Sequence, residues 1–319
     1  MNLAQLLMIG LPGDGDLTAV SELQPGGVVL MGRNAAPAAD LRRLTRALQA
    51  SLAEPALIAA DQEGGRVQRF KDGFTLIPPA RELGAQGARK VGLMAMTVAA
   101  ELRTAGVNTN FAPVCDVPVH LEDTVIGNRA FSDDPLRASL LAAEYIRGAQ
   151  PSVMCCAKHF PGHGGVGVDS HHGLPSFLGS AEELAPHLGP FRAAIAAGVG
   201  AIMAGHIAVP ALDASGTPAS LSAPIVTDLL RQELGFRGLV VTDDLEMGAL
   251  AAWEPAEVAV RAIEAGCDML LFCHSAQKAK AALRGLEAAH QSGRLTKERL
   301  DDALERVAWA KRRFGVISA

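Results

Sequence analysis

The sequence predicts a single α/β domain over residues 1–319, folded as a (β/α)8 TIM barrel. Eight short apolar runs alternate with longer segments of helical period, no linker breaks the alternation, and the last six runs end on or beside an ionisable residue. Runs of four to eight residues, several apolar throughout, are how strands read when both faces are buried in a parallel sheet. A doubly wound open sheet is the structural rival. Eight strands in one unbroken alternation favour closure.

The runs in order are LLMIG (6–10), GGVVLM (26–31), ALIAAD (56–61), NFAPVCD (110–116), VMCCAKH (153–159), AIMAGH (201–206), GLVVTDD (238–244) and CDMLLFC (267–273). Between the second and third lies AADLRRLTRALQASL (38–52), with apolar residues near a 3.6 period. Between the fifth and sixth lies SAEELAPHLGPFRAAIAAG (180–198), where Ser180 stands three residues before Glu183, the spacing of a capping box. The segment 296–315 predicts an amphipathic closing helix. No Ser/Gly tract or compositional shift marks a second domain.

Composition excludes several classes of function. Hydrophobic residues make up 49% of the chain, enough for a large core. The net charge of −5, with no basic run, excludes a nucleic-acid partner. No apolar run approaches the roughly 18 residues of a membrane span. The start MNLAQLLMIGLPGDGD lacks the positive charge and long apolar stretch of a secretory leader. Five cysteines, Cys115, Cys155, Cys156, Cys267 and Cys273, with four inside apolar runs, read as reduced core thiols. The expected address is the cytoplasm, the expected state a monomer, and the expected partner a small molecule.

The polar run ends are Asp61, Asp116, Lys158 with His159, His206, Asp243 with Asp244, and His274. Charges inside a barrel wall are costly, so these groups belong where the strands emerge. In parallel barrels that is the face that carries active sites. The pattern points to an enzyme.

The stretch KHFPGHGGVGVDSHHGLP (158–175) holds four histidines, a lysine and an aspartate among glycines. A metal site is one reading, with His159, His163, Asp169, His171 and His172 as donors by type. Against it, the first run has no His-x-His pair and Lys158 would set a cation beside the ion, so neither metal nor cofactor is expected. PGHGGVG lacks the ending of a phosphate loop, although phosphate stays open as a second substrate. The third reading is proton transfer. Asp169 and His171 stand two apart, so a turn lets the carboxylate fix the imidazole's tautomer while the other nitrogen faces substrate.

KHFPGHG followed by DSH, together with DQEGGRVQR (61–69) and VVTDDLEMGA (240–249), resembles glycoside hydrolase family 3, and within it the single-domain bacterial β-N-acetylhexosaminidases. The resemblance runs from about residue 6 to 275. It implies a retaining exo-β-N-acetylglucosaminidase acting on peptidoglycan fragments in cell-wall recycling. By motif position Asp243 is the nucleophile, with Asp244 its rival, and His171 with Asp169 is the acid/base pair. The same resemblance places substrate contacts at Asp61, Arg69, Arg129, Lys158, His159 and His206, with His163 and His172 nearby. The glycines are expected to let the loop swing His171 over the bound sugar. A glycoside phosphorylase or β-glucosidase of the same family is the alternative, and a silent sugar-binding barrel is the alternative of another class.

Overall fold

The computed structural model describes residues 1–119, 125–166 and 173–316. Eight parallel strands close into a barrel: β1 (Leu7–Gly10), β2 (Gly27–Leu30), β3 (Leu57–Ala60), β4 (Thr109–Asn110), β5 (Met154–Phe160), β6 (Ala201–Ala204), β7 (Leu239–Asp244) and β8 (Met269–Phe272). Each strand pairs with its sequence neighbours, and β1 closes the ring on β8 through Leu7–Leu270, Met8–Leu271 and Ile9–Phe272. The expected runs and the observed strands coincide at every position. They differ most at the fourth, where NFAPVCD yields only two paired residues. Pro113 has no N–H to give to a ladder, and the chain there leaves regular pairing except for a bridge between Val114 and Lys158.

Helices cover the outside: α1 (Thr18–Leu23), α2 (Ala38–Ala50), α3 (Ala80–Ala85), α4 (Ala88–Thr104), α5 (Pro135–Ala149), α6 (Ala181–Ala196), α7 (Pro255–Ala265), α8 (Ala276–Gln291) and α9 (Lys297–Arg313). A π-helical segment, Pro224–Glu233, makes the crossover from β6 to β7. The capping box forms as its spacing predicts, with Glu183 N–H donating to Ser180 Oγ and Ser180 N–H to the Glu183 carboxylate. Helices α4 and α5 meet where Gly148 crosses Gly92. A Cβ on Gly148 would stand 2.2 Å from the Gly92 carbonyl oxygen, so no larger residue permits this approach.

The strands are apolar because the barrel interior and the helix layer bury both faces. Every residue of β5 is buried, as are the four of β2, β3, β6 and β8. All five cysteines are free thiols in this core. Among the described residues, no helix is long and apolar enough to cross a membrane. What the core cannot absorb are the charged groups at the strand ends, and these gather at the carboxyl-terminal mouth.

Candidate active site

A pocket of ≈ 490 Å³ opens at that mouth, within the range of small-molecule sites. Asp61, Arg69, Arg129, Lys158, His159 and Asp243 all line it, so six of the sequence-predicted site residues come together, with Asp244, the rival of Asp243, beside them. Asp61 follows β3, Lys158 and His159 belong to β5, and Asp243 and Asp244 end β7. Arg69 follows a two-stranded hairpin, Gln62–Gly64 with Val67–Gln68, and Arg129 closes the short 3-10 turn Gly127–Arg129.

On the β3–β5 side the charges interlock. Lys158 Nζ lies 2.6 Å from Asp61 Oδ1 and 2.6 Å from Glu63 Oε1. Asp61 also takes Arg69 at 2.9 Å, and Glu63 receives two parallel bonds from Arg129, each 2.8 Å. Burial alone would push these carboxyls up, but Lys158 with Arg69 or Arg129 outweighs it and holds both below the usual carboxylate range. Burial likewise opposes the Lys158 charge, and the two carboxylates reverse that, raising its pKa. The result is a set of permanently ionised donors and acceptors in fixed places, suited to gripping the hydroxyls of a polar ligand.

Glu63, which links two of those cations, is a functional residue that sequence reasoning missed. Its signal lies in DQEGG, where it stands two residues beyond Asp61 and so on the same side of an extended chain. Asp116 is different: as a polar run end it is legible in sequence as a group at this face, and its partners are what the structure adds. It lies beneath the pocket, with Oδ2 2.7 Å from His159 Nδ1 and Oδ1 accepting the backbone N–H groups of His159 and His163. Burial would raise its carboxyl, yet His159 and the other donors bring it down to about 2. A carboxylate on Nδ1 leaves His159 Nε2 to face the pocket. His163 also lines the pocket, its pKa lowered by burial.

The β7 side is different in kind. Asp243 Oδ1 accepts the N–H of Asp244 at 2.8 Å, and no lysine or arginine among the described residues pairs with it. Burial would raise the Asp243 carboxyl, but His159, His206, the Asp244 N–H and Lys158 keep it below its ordinary value. Asp244 goes the other way. Burial raises it more than its two backbone donors, Cys273 N–H and Glu246 N–H, lower it. Of the two adjacent acids, then, Asp243 is the one whose carboxylate form the site favours, with a single backbone donor on it, and Asp244 has an oxygen committed to two backbone donors.

Two expectations are sharpened by the described residues. His206 was expected to touch substrate, but it is 1% exposed and does not line the pocket. Its Nδ1 lies 2.8 Å from Ser220 Oγ and its Nε2 2.9 Å from the Asp244 carbonyl, so both nitrogens are used inside the protein. A histidine at a strand end reads the same in sequence whichever way it turns. The second concerns the glycines. Gly164 is there for close approach rather than freedom, since its Cβ would stand 2.0 Å from the Val117 carbonyl oxygen, and its own carbonyl accepts the Val119 N–H. Asp169, His171 and His172 lie outside the described residues, so the acid/base pair has no geometry here.

Among the described residues no group of three or more His, Cys, Asp or Glu is placed to hold a metal ion. The chemistry the pocket offers is a lone ionised carboxylate facing a rigid frame of hydrogen-bonding charges.

Residues 1–310 match the family model described as the glycosyl hydrolase family 3 N-terminal domain. A protein of Chromobacterium violaceum named β-hexosaminidase is 40% identical over 299 residues, spanning 90% of this chain and 81% of that protein. A β-N-acetylhexosaminidase structure from Beutenbergia cavernae superposes with a TM-score of 0.92 at 33% identity, over 97% of each chain. A family 3 β-N-acetylglucosaminidase from Paenibacillus superposes with a TM-score of 0.96 at 39% identity; all of this chain matches 63% of that longer one.

Proposed function

The chain belongs to glycosyl hydrolase family 3, and from that premise we propose that it is a retaining exo-β-N-acetylglucosaminidase. Its substrates are peptidoglycan fragments carrying a terminal non-reducing N-acetylglucosamine, which it opens in the cytoplasm during cell-wall recycling. The observation that carries the reading is Asp243, a carboxylate with no pairing lysine or arginine among the described residues, open to a sugar-sized pocket framed by Asp61, Arg69, Arg129, Lys158 and His159. The similarity to a β-hexosaminidase and to two β-N-acetylhexosaminidase structures supports the N-acetyl preference. So does the pocket's other lining, Val29, Met31, Met247 and Leu271, an apolar surface for an acetamido methyl. The buried free thiols fit a reducing compartment.

In the first step an Asp243 oxygen bonds to the anomeric carbon as the glycosidic bond breaks, and His171 gives its proton to the departing oxygen. In the second, water attacks the same carbon, His171 takes the water proton, and the bond to Asp243 breaks. Asp169 orients His171 through its other ring nitrogen. Among the described residues the pocket lining carries five acidic side chains and three lysines or arginines, an acidic excess that favours an oxocarbenium-like transition state and neutral water over anionic phosphate.

A fluorinated N-acetylglucosaminyl fluoride that forms the glycosyl-enzyme but is slow to release tests the assignment. Peptide mass spectrometry is expected to find the label on Asp243; a label on any other residue overturns the mechanism. Replacing the acid is a separate check. His171→Ala is expected to slow poor leaving groups by about 10²–10⁴-fold while sparing dinitrophenolate, which departs with little protonation. Equal losses across leaving groups remove His171 from the acid role, and sugar 1-phosphate formed in phosphate buffer makes the enzyme a phosphorylase.

A further inference from the structure

His206 and Ser220 are buried, at 1% and 0% exposure, and the mechanism above gives neither a task. The Asp244 carbonyl can only accept, so His206 Nε2 carries the hydrogen in the 2.9 Å contact. Burial lowers the ring's pKa and keeps it neutral, which leaves Nδ1 a lone pair that accepts the Ser220 hydroxyl at 2.8 Å. Ser220 is fixed in turn, its N–H donating to the Gly205 carbonyl and its own carbonyl accepting from Cys267 Sγ.

We propose that Ser220 and His206 form a positioning relay that aims the nucleophile, an inference that rests on Asp243 being that nucleophile. The relay acts through Asp244, whose polar groups are all directed, Oδ2 facing His274 Nε2 at 3.6 Å. Its carbonyl is held by His206, its Oδ1 by the N–H groups of Glu246 and Cys273, and its own N–H donates to Asp243 Oδ1. With the carbonyl and side chain pinned, the Asp244 N–H has one direction, and the Asp243 carboxylate rests against it with its second oxygen toward the pocket. A relay of this sort is needed because β7 ends here. Beyond Asp244 the backbone pairing toward β8 is carried by the Leu245 N–H bond to Leu271, with the Glu246 carboxylate taking the His274 and Ser275 N–H groups, and the pairing register shifts just before it, between Met269 and Leu271. The relay replaces a sheet ladder at the place where the attacking oxygen must be steady.

Displacing a reacting atom by about 1 Å costs on the order of 10² in rate. His206→Phe removes the donor, and kcat/KM for an aryl N-acetylglucosaminide is expected to fall about 100-fold. The inhibition constant of N-acetylglucosamine is expected to stay within about twofold, because that ligand is gripped by the β3–β5 side. His206→Gln sets an amide N–H near the place of Nε2 and is expected to recover activity to within about tenfold. Ser220→Ala leaves Nδ1 without its donor and is expected to cost about tenfold. If His206→Phe does not fold, the last two variants carry the test. Parallel losses in product affinity and turnover, or no rescue by glutamine, would mean a packing role and overturn the relay, as would wild-type turnover in all three. Asp243→Ala is run alongside. If it remains active, the nucleophile assignment fails first; if it is dead while the His206 and Ser220 variants match wild type, the relay alone fails.

Discussion

On the β3–β5 side of the pocket each carboxylate meets a cation, Asp61 with Lys158 and Arg69, Glu63 with Lys158 and Arg129, whereas across the mouth Asp243 and Asp244 rest on backbone N–H groups. The contrast follows from what each side has to do. A binding frame gains from full ion pairs, because they fix geometry and keep every member charged at any working pH. A nucleophile does not, since a guanidinium or ammonium seated on its oxygens lowers their basicity and blocks the approach to carbon. Asp243 is therefore kept ionised by diffuse means: one N–H bond, and the fields of His159 and Lys158 at longer range.

The contrast breaks most visibly at Lys158. Replacing it with methionine leaves Asp61 and Glu63 facing each other beside a buried apolar chain. Losing one partner of a buried pair costs about 3–5 kcal/mol, and the sugar grip goes with it. The unfolding free energy is expected to drop by that amount, read as a lower denaturation midpoint at unchanged m, with product affinity lost as well. Adding Glu63→Gln removes one of the stranded charges, so the double variant is expected to be more stable than Lys158→Met alone. Purely additive losses would show that the charges do not act as a network.

A second way to separate the sides is pH. His163, His187 and His206 are buried with lowered pKa values, so the unfolded chain binds more protons than the folded one once pH falls below about 6.5. Stability is expected to fall as pH drops from 7 to 5, by about 1.4 kcal/mol for each full unit by which a ring is depressed. The carboxylates Asp61, Glu63 and Asp116 act later. Their folded pKa values lie below the unfolded ones, so their contribution is intact above about pH 4 and is lost as pH falls through the folded values, about 2 for Asp116. Thermal melts at half-unit intervals are expected to show two separate declines. A flat melting temperature from pH 7 to 5 would mean that the buried rings do not resist protonation.

The barrel and the binding frame were legible for the same reason. Buried strands must be apolar along their length, so a charge at the end of one, such as Asp61 or Lys158, announces both the boundary and the mouth. Legibility failed where a residue's partner is backbone. His206 bonds a carbonyl and Gly164 nearly touches one, and neither contact leaves a mark on the residue types around it. Glu63 fell between these cases. Its charge was visible, but its place in the three-residue strand Gln62–Gly64 of the small hairpin, rather than at the end of a barrel strand, hid what it faces.

The smallest expected effect is the sharpest on the β7 side, because Asp243 and Asp244 are chemically identical neighbours. Asp244→Asn keeps an oxygen for the N–H groups of Glu246 and Cys273 and keeps the carbonyl that His206 holds. It deletes only a charge that burial already disfavours. Stability at pH 7 is expected to be unchanged or slightly higher, and turnover to fall by less than about tenfold, under 1.4 kcal/mol of transition-state stabilisation. Asp243→Ala, by contrast, removes the proposed attacking oxygen and is expected to cost at least about 10⁴-fold on every leaving group. The ratio between the two variants measures how completely the fold has divided one pair of aspartates into an attacking group and a support. Should Asp244→Asn be as inactive as Asp243→Ala, the side chain of Asp244 would have to share the chemistry, and its protonation state would govern the acid limb of the rate profile.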